Sequence, residues 1–254
     1  MEDFEKHLAR LHQEFLDYAN DSIGQLDKTL DAAAERGELE ASEMLDLTRI
    51  VHSLKGSGGT FGLTNLTILA HRCEDYIAAS DTGAPLNIAD VRIYIDRLGD
   101  VIDGRISSDG PIDTIVRSLP MRSRFDVSDV TATEVEVGLI MEPGAQARLV
   151  TKELEACGYR VTGMQSSIQS IGYIYQTRPD CVFVSANMPG MDGVDLICAL
   201  KAMKVTKDIP CALLTSFTKD NQLLQALPES VPVVRKGKDF GDDLAEALQK
   251  LGII

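Results

Sequence analysis

The stretch "RIVHSLKGSGGTFG", residues 49 to 62, decides how the first half of this chain is read. Upstream and within it, Met44, Leu47, Val51 and Leu54 recur at spacings of 3, 4 and 3, the stripe of a helix that buries one face. Gly56, Gly58 and Gly59 follow at once, and each costs a helix interior about 1 kcal/mol relative to alanine. A plain loop at "GSGG" would end the helix there. A phosphate loop would need lysine after the glycines and a strand before them, and neither condition holds. The third reading keeps the glycines inside the helix, compensated by close packing or by the close approach of a partner.

His52 lies one residue, about 100°, from the apolar stripe, which places it at the stripe's exposed edge. Its helical neighbours are Thr48 and Arg49 on one side, Lys55 and Gly56 on the other, with Gly59 at i+7. Gly58 falls on the stripe itself, where a glycine serves packing. A neutral imidazole is a competent nucleophile towards an activated phosphoryl group. Lys55 and Arg49 are placed to stabilise the transferred charge, while Gly56 and Gly59 leave room for another protein's acidic site. Spacing alone leaves the structural reading of a lone histidine equally open.

Around this stretch the apolar periodicity predicts helices over about 4–36, 41–61, 65–80 and 87–105, with a break in the first near Ser22 to Gly24. Gly37 and Gly62 close the first two runs, Thr64 can cap the third, and "TGAPLN" separates the last pair. Short connections favour antiparallel neighbours, so residues 1–106 read as an all-α four-helix bundle. From 107 to 133 the periodicity fades into Ser, Asp, Gly and Pro, a linker with one short helix at 112–118. Residues 134–254 change pattern: apolar bursts at 135–141, 159–164, 181–186, 211–216 and 231–234 alternate with helical stretches. That is an α/β domain with a five-stranded parallel sheet, doubly wound, its functional edge at the carboxyl ends of the strands.

Composition sets limits. The formal charge is −14, with 11 basic and 22 acidic side chains up to residue 120 and 14 and 17 beyond it. Such acidity argues against nucleic acid as a partner. No apolar run approaches a membrane span and the start carries no basic-then-apolar leader, so the expected location is the cytoplasm. The five cysteines are odd in number and scattered, which predicts buried reduced thiols. His7 and His12 are five apart and His71 and Cys73 point in different directions, so no metal site is expected.

"HSLKGSGGTFG" on the second amphipathic helix, followed by "LTNLTILAHRCEDY", resembles the histidine-containing phosphotransfer (HPt) domain of bacterial phosphorelays over about residues 1–106. The resemblance implies that His52 accepts and donates the phosphoryl group, with Lys55 assisting, Gly56 giving access and Arg49 in a weaker supporting role. It implies partners in the receiver domains of hybrid histidine kinases or response regulators, which would supply Mg²⁺. No ATP-binding domain is visible, so self-phosphorylation is not expected.

"EVGLIMEPGAQARLVTKELEACGYRV", "RPDCVFVSANMPGMDGVDLICALK", "IPCALLTS" and "VVRKGKDF" are similar to a response-regulator receiver domain over about 134–254. The family fold has strand order 2-1-3-4-5, a phosphoaccepting aspartate ending the third strand and an acidic pair after the first that holds Mg²⁺. Alignment on "MPGMDG" puts Ser185 at the acceptor position, and alignment on "ACGY" puts Met141 and Glu142 at the acidic pair. Thr215 and Lys236 match the family's hydroxyl and lysine, although Gly237 replaces the usual proline. Of three metal-binding carboxylates Glu142 alone remains, and Asp180 and Asp192 are not placed to substitute. The resemblance therefore implies a pseudo-receiver that docks, regulates or dimerises through residues 217–254.

Together these readings predict a phosphorelay intermediate, a regenerated carrier more than an enzyme. Two alternatives remain: a docking module that sequesters a kinase or regulator, and a phosphatase of receiver phosphoaspartate.

Overall fold

The computed structural model of the chain describes residues 2–78, 86–121, 134–218, 221–237 and 240–253. It divides into two compact units, Met1–Arg124 and Phe125–Ile254.

The first unit contains α1 (Glu2–Arg36), α2 (Ala41–Thr60), α3 (Thr64–Ala78), α4 (Ile88–Ile102) and α5 (Asp113–Ser118). A capping box starts α2: the Glu40 carboxylate accepts from the backbone of Glu43, and Glu43 accepts in return from the Glu40 N–H at 2.9 Å. The helix then runs through all three glycines and ends before Gly62, whose φ of 73° only glycine adopts freely. Gly58 explains part of the glycine cost. A Cβ there would lie 3.0 Å from Thr67 Oγ1 and 3.3 Å from the Leu63 carbonyl, so its absence lets α2 and α3 close on each other. At Gly56 a Cβ would meet nothing within 4 Å, so packing does not account for that glycine.

Two expectations are corrected. No break interrupts α1 near Ser22 to Gly24. Phe15, Ala19, Ser22, Leu26, Leu30 and Ala33 keep one buried stripe through that point, and packing outweighs the propensity cost of a single glycine. Residues 107–121 are not linker but part of the bundle. Asn65 Nδ2 donates to the Ser107 carbonyl at 2.9 Å, the Tyr94 hydroxyl to the Pro120 carbonyl at 2.7 Å, and Ile112, Val116 and Leu119 are buried. That apolar stripe has only three residues, too few to stand out as periodicity, yet it suffices once a bundle surface receives it. The rest of the predicted linker, 122–133, and most of "TGAPLN" lie outside the described residues.

The second unit contains β1 (Glu136–Ile140), α6 (Ala145–Ala156), β2 (Arg160–Met164), α7 (Ser167–Thr177), β3 (Cys181–Ser185), α8 (Gly193–Ala202), β4 (Cys211–Thr215), β5 (Val233–Arg235) and α9 (Phe240–Lys250). The strands form one parallel sheet in the order β2-β1-β3-β4-β5. Every residue of β1, β3 and β4 is buried, as a sheet covered on both faces requires. On one face Leu139, Phe183 and Leu214 pack with Leu154 of α6 and Leu248 of α9. Between β4 and β5 the described residues form only a 3-10 turn, Gln222–Ala226. All five cysteines are free; Cys73, Cys181 and Cys211 are buried as expected, but Cys157 is exposed and Cys198 half-buried. Among the described residues no helix is long and apolar enough to cross a membrane.

Candidate functional site

The α2–α3 hairpin turns at Gly62 and Leu63, so residues equidistant from the turn face each other across the two antiparallel helices. His52 and Glu74, each eleven positions from Leu63, are such a pair. The His52 side chain is 74% exposed, with Nδ1 2.8 Å from Glu74 Oε1. A carboxylate can only accept, so Nδ1–H donates in this contact, and in the neutral ring the lone pair then lies on Nε2. Lys55 Nζ donates to the other carboxylate oxygen, Oε2. Glu74, only 18% exposed, thus joins the imidazole and the ammonium into one fixed cluster.

The rim of this cluster is varied. Arg49 is 71% exposed and paired with Asp46 at 3.2 Å, so it reaches towards solvent one turn before His52. Tyr18 of α1 lies beside the site, its hydroxyl 3.4 Å from Ser53 Oγ. Hydrogen bonds with Ser53 and Ser22, helped by the nearby Arg49 charge, hold its phenol below the usual tyrosine range against a smaller opposing effect of burial. Leu45, two turns before His52 on the same face, is 71% exposed. No cluster of His, Cys, Asp and Glu among the described residues could hold a metal ion. His12 is instead stacked on Phe61.

At the carboxyl ends of the sheet strands the second unit brings Ser185, Thr215 and Lys236 together. Lys236 Nζ donates to Ser185 Oγ at 3.1 Å, and that hydroxyl donates to the Asn187 carbonyl at 3.3 Å. Thr215 Oγ1 accepts from the Phe217 N–H at 2.9 Å, and the Lys236 N–H donates to the Thr215 carbonyl at the same distance. Burial pushes the Lys236 ammonium below the usual lysine range. Met141 does not face this group as a ligand but belongs to the apolar core, and Glu142 is exposed. Asp180 sits at the other end of β3, accepting from the Glu136 N–H at 2.8 Å, and Asp192 caps α8 through the Val194 and Asp195 N–H groups. Two hydroxyls, a thioether turned inward and one exposed carboxylate do not fit a magnesium ion, which needs hard oxygen ligands in tight geometry.

Comparison with known proteins agrees with this division. Residues 10–102 match the Hpt domain family and residues 140–232 the response regulator receiver domain family. The chain carries an Hpt domain followed by a receiver domain. These domains place it in two-component phosphorelay signalling. Ninety residues are 29% identical to the phosphate regulon transcriptional regulatory protein PhoB of Pseudomonas aeruginosa, covering 35% of this chain and 39% of that protein. The match thus spans well under half of PhoB. A 94-residue match is 26% identical to sporulation initiation phosphotransferase F of Bacillus subtilis, covering 37% of this chain and 73% of that one. The receiver domain of the sensor histidine kinase PA1611 from Pseudomonas aeruginosa is a structural neighbour, with a TM-score of 0.41 and 21% identity over 46% of this chain and 98% of that domain.

Within the Hpt domain the structure brings His52, Lys55 and Gly56 to one surface and leaves Arg49 at its edge. Glu74 was absent from the sequence reading, although the hairpin count about Leu63 would have found it. Tyr18 was also missed, because it reaches the site from α1, and no local spacing relates residue 18 to residue 53. Within the receiver domain Ser185, Thr215 and Lys236 meet, while Met141 and Glu142 do not join them.

Proposed function

We propose that His52 carries a phosphoryl group between aspartates of partner receiver domains, and that the chain's own receiver domain does not accept one. The observation that carries the reading is the held and exposed imidazole: its Nδ1–H donates to Glu74, which leaves Nε2 of the neutral ring to act as the nucleophile. In the forward step Nε2 attacks the phosphorus of a partner's aspartyl phosphate. The N–P bond forms as the P–O bond to the aspartate breaks, and the carboxylate leaves with its electron pair. The ring becomes cationic, and the Glu74 carboxylate stabilises that charge through Nδ1–H. Lys55 is placed to balance the oxygens of the transferred group, and the bare backbone at Gly56 lets the partner's acidic loops approach. Transfer to a second aspartate reverses the same events. Magnesium, in this reading, comes with the partner receiver.

Ser185 supports the second half of the proposal. A hydroxyl already engaged by Lys236 and the Asn187 carbonyl is a poor nucleophile, and a serine phosphate ester lacks the reactivity of an acyl phosphate. The domain is then available for docking or regulation.

The test is incubation of the full chain with a receiver bearing labelled aspartyl phosphate. An acid-labile, base-stable label is expected on the wild type and on Ser185→Ala, and none on His52→Gln. Absence of label with every plausible receiver, or label that survives His52→Gln, overturns the assignment. Release of free phosphate without lasting label indicates the phosphatase reading, and partner binding that persists with unchanged signalling in His52→Ala indicates sequestration.

A further inference from the structure

The longest helix is longer than anything beside it. At 35 residues α1 spans about 52 Å, against about 30 Å for the 20 residues of α2. Both of its neighbours run antiparallel to it and stop early. Phe61, just past the end of α2, stacks on His12 and Phe15, so α2 ends level with those residues. Arg92 of α4 meets Asp31 at 2.6 Å, and Gly99 packs near Ile23, so the end of α4 at Ile102 lies level with about residue 20. From residue 4 onward Phe15 is the first buried residue of α1, and residues 4–10 are all exposed.

The projecting turns nevertheless keep an apolar seam. Phe4, Leu8, Leu11 and Phe15 follow at spacings of 4, 3 and 4, the heptad repeat that pairs two helices, and the seam runs unbroken into the buried stripe of the bundle. Phe4 is 66% exposed and Leu8 49% exposed. These turns gain nothing from the tertiary packing that supplies most helical stability in proteins.

The charges beside the seam say which surface fits. With Phe4 and Leu11 as d positions and Leu8 and Phe15 as a positions, Glu5 and His12 occupy e and His7 and Glu14 occupy g. Two such helices in antiparallel register, Leu8 against Leu11, oppose e to e and g to g. Glu5 then comes level with His12 of the other copy, whose ring stacks on Phe61, and His7 faces its Glu14, which pairs with Arg10 at 3.3 Å, so no acid opposes an acid across the seam. A parallel pair would oppose His7 to His12 and leave both acids without a histidine across the seam. The segment is therefore complementary to itself in one orientation.

We infer that the projecting end of α1, residues 4–14, is a dimerisation seam that pairs antiparallel with the same segment of a second copy of this chain. Phe4 of each copy reaches the rim where Phe15 and Phe61 of the other stack. His52 remains uncovered, because its contact level on α1 is Tyr18, beside Ser53 and beyond the paired segment. The dimer would present two phosphoaccepting faces on one particle.

Sedimentation equilibrium of the full chain across a range of concentrations tests this. A reversible monomer–dimer equilibrium is expected for the wild type, weakened at least about tenfold when Phe4→Glu and Leu8→Glu are combined, as for removal of central interface anchors. These side chains are exposed, so circular dichroism and transfer to His52 should survive. His7→Glu should weaken the dimer by setting two acids against each other, and His7→Lys should strengthen it. A wild type that remains monomeric at every concentration, or a dimer that persists in the double variant, overturns the inference and assigns the seam to another protein or to none. Strengthening by His7→Glu overturns the antiparallel pairing.

Discussion

Two histidine-and-aspartate positions of a phosphorelay are represented in this chain, and they are built in opposite ways. At His52, the phosphoacceptor we propose, the imidazole is exposed, while Glu74, which holds it, and Lys55 beside it are largely buried. At the matching position of the receiver domain Ser185 is itself buried beside Lys236, Met141 lies in the apolar core and Glu142 is exposed. The difference teaches that a reactive site needs a partly dry support and a wet tip. The Ser185 hydroxyl, by contrast, is buried at the end of its strand and held between Lys236 and the Asn187 carbonyl.

The comparison is broken most severely at Gly193. A Cβ there would lie 2.2 Å from the Ser185 carbonyl oxygen, a backbone atom that cannot move without shifting β3. Gly193→Ala is expected to destabilise the receiver domain by about 3 kcal/mol, the upper end for overpacking, in denaturant unfolding followed separately for the two domains. The Hpt domain and its transfer should be unaffected.

Glu74→Ala is the next largest effect, this time on chemistry. Loss of the group that fixes the tautomer and balances the ring cation should slow transfer from a phosphorylated receiver by about tenfold to a hundredfold, with little change in partner affinity. Glu74→Gln should recover part of the rate, since its carbonyl still accepts from Nδ1 although the charge is gone. Rapid-quench measurement of both variants separates orientation from charge: equal rates for both would show that orientation contributes nothing, and a Gln variant as fast as wild type would show the same of charge.

The contrast between glycines predicts a smaller effect of mixed sign. Gly56→Ala meets no atom and removes backbone entropy, so the Hpt bundle should gain about 0.5–1 kcal/mol, while transfer slows because a methyl group now stands beside His52. Unfolding and transfer measured on the same preparation check this. A gain in both would show that the bare backbone at Gly56 has no role in access.

The smallest prediction concerns Lys236. Because burial lowers its folded-state affinity for a proton, the unfolded chain binds more protons in the window below the ordinary lysine range. Stability of the receiver domain should therefore rise with pH through that window, and Lys236→Met should remove this part of the slope. Ser185→Asp, which gives the ammonium a counter-ion, should reverse the shift while remaining unlabelled, because the new carboxylate and Glu142 still leave the magnesium site one carboxylate short, with Met141 in its place. An acyl phosphate formed on the new carboxylate of that variant would contradict the last point.

Much of this was legible in the residues. The four-helix bundle and the parallel sheet follow from apolar periods of 3.6 residues and from short apolar bursts, because burial of one face or of both is the same requirement wherever it occurs. The position of His52 at the edge of its stripe also follows from the period, since one helix fixes the angles among its own residues. Gly58 was readable as a packing glycine for the same reason.

What spacing within one element could not supply was everything that depends on a second element. Glu74 comes from α3 and Tyr18 from α1, and only the packing of those helices brings them to His52. Residues 107–121 belong to the bundle because a waiting surface covers Ile112, Val116 and Leu119, and α1 stays unbroken through Gly24 because its neighbours hold it. Met141 could be placed at the metal position by alignment, but only the packed sheet turns it into the core. Local sequence fixes angles and periods through the geometry of one backbone; distances between elements arise when buried faces meet, and the pairing of His52 with Glu74 was decided there.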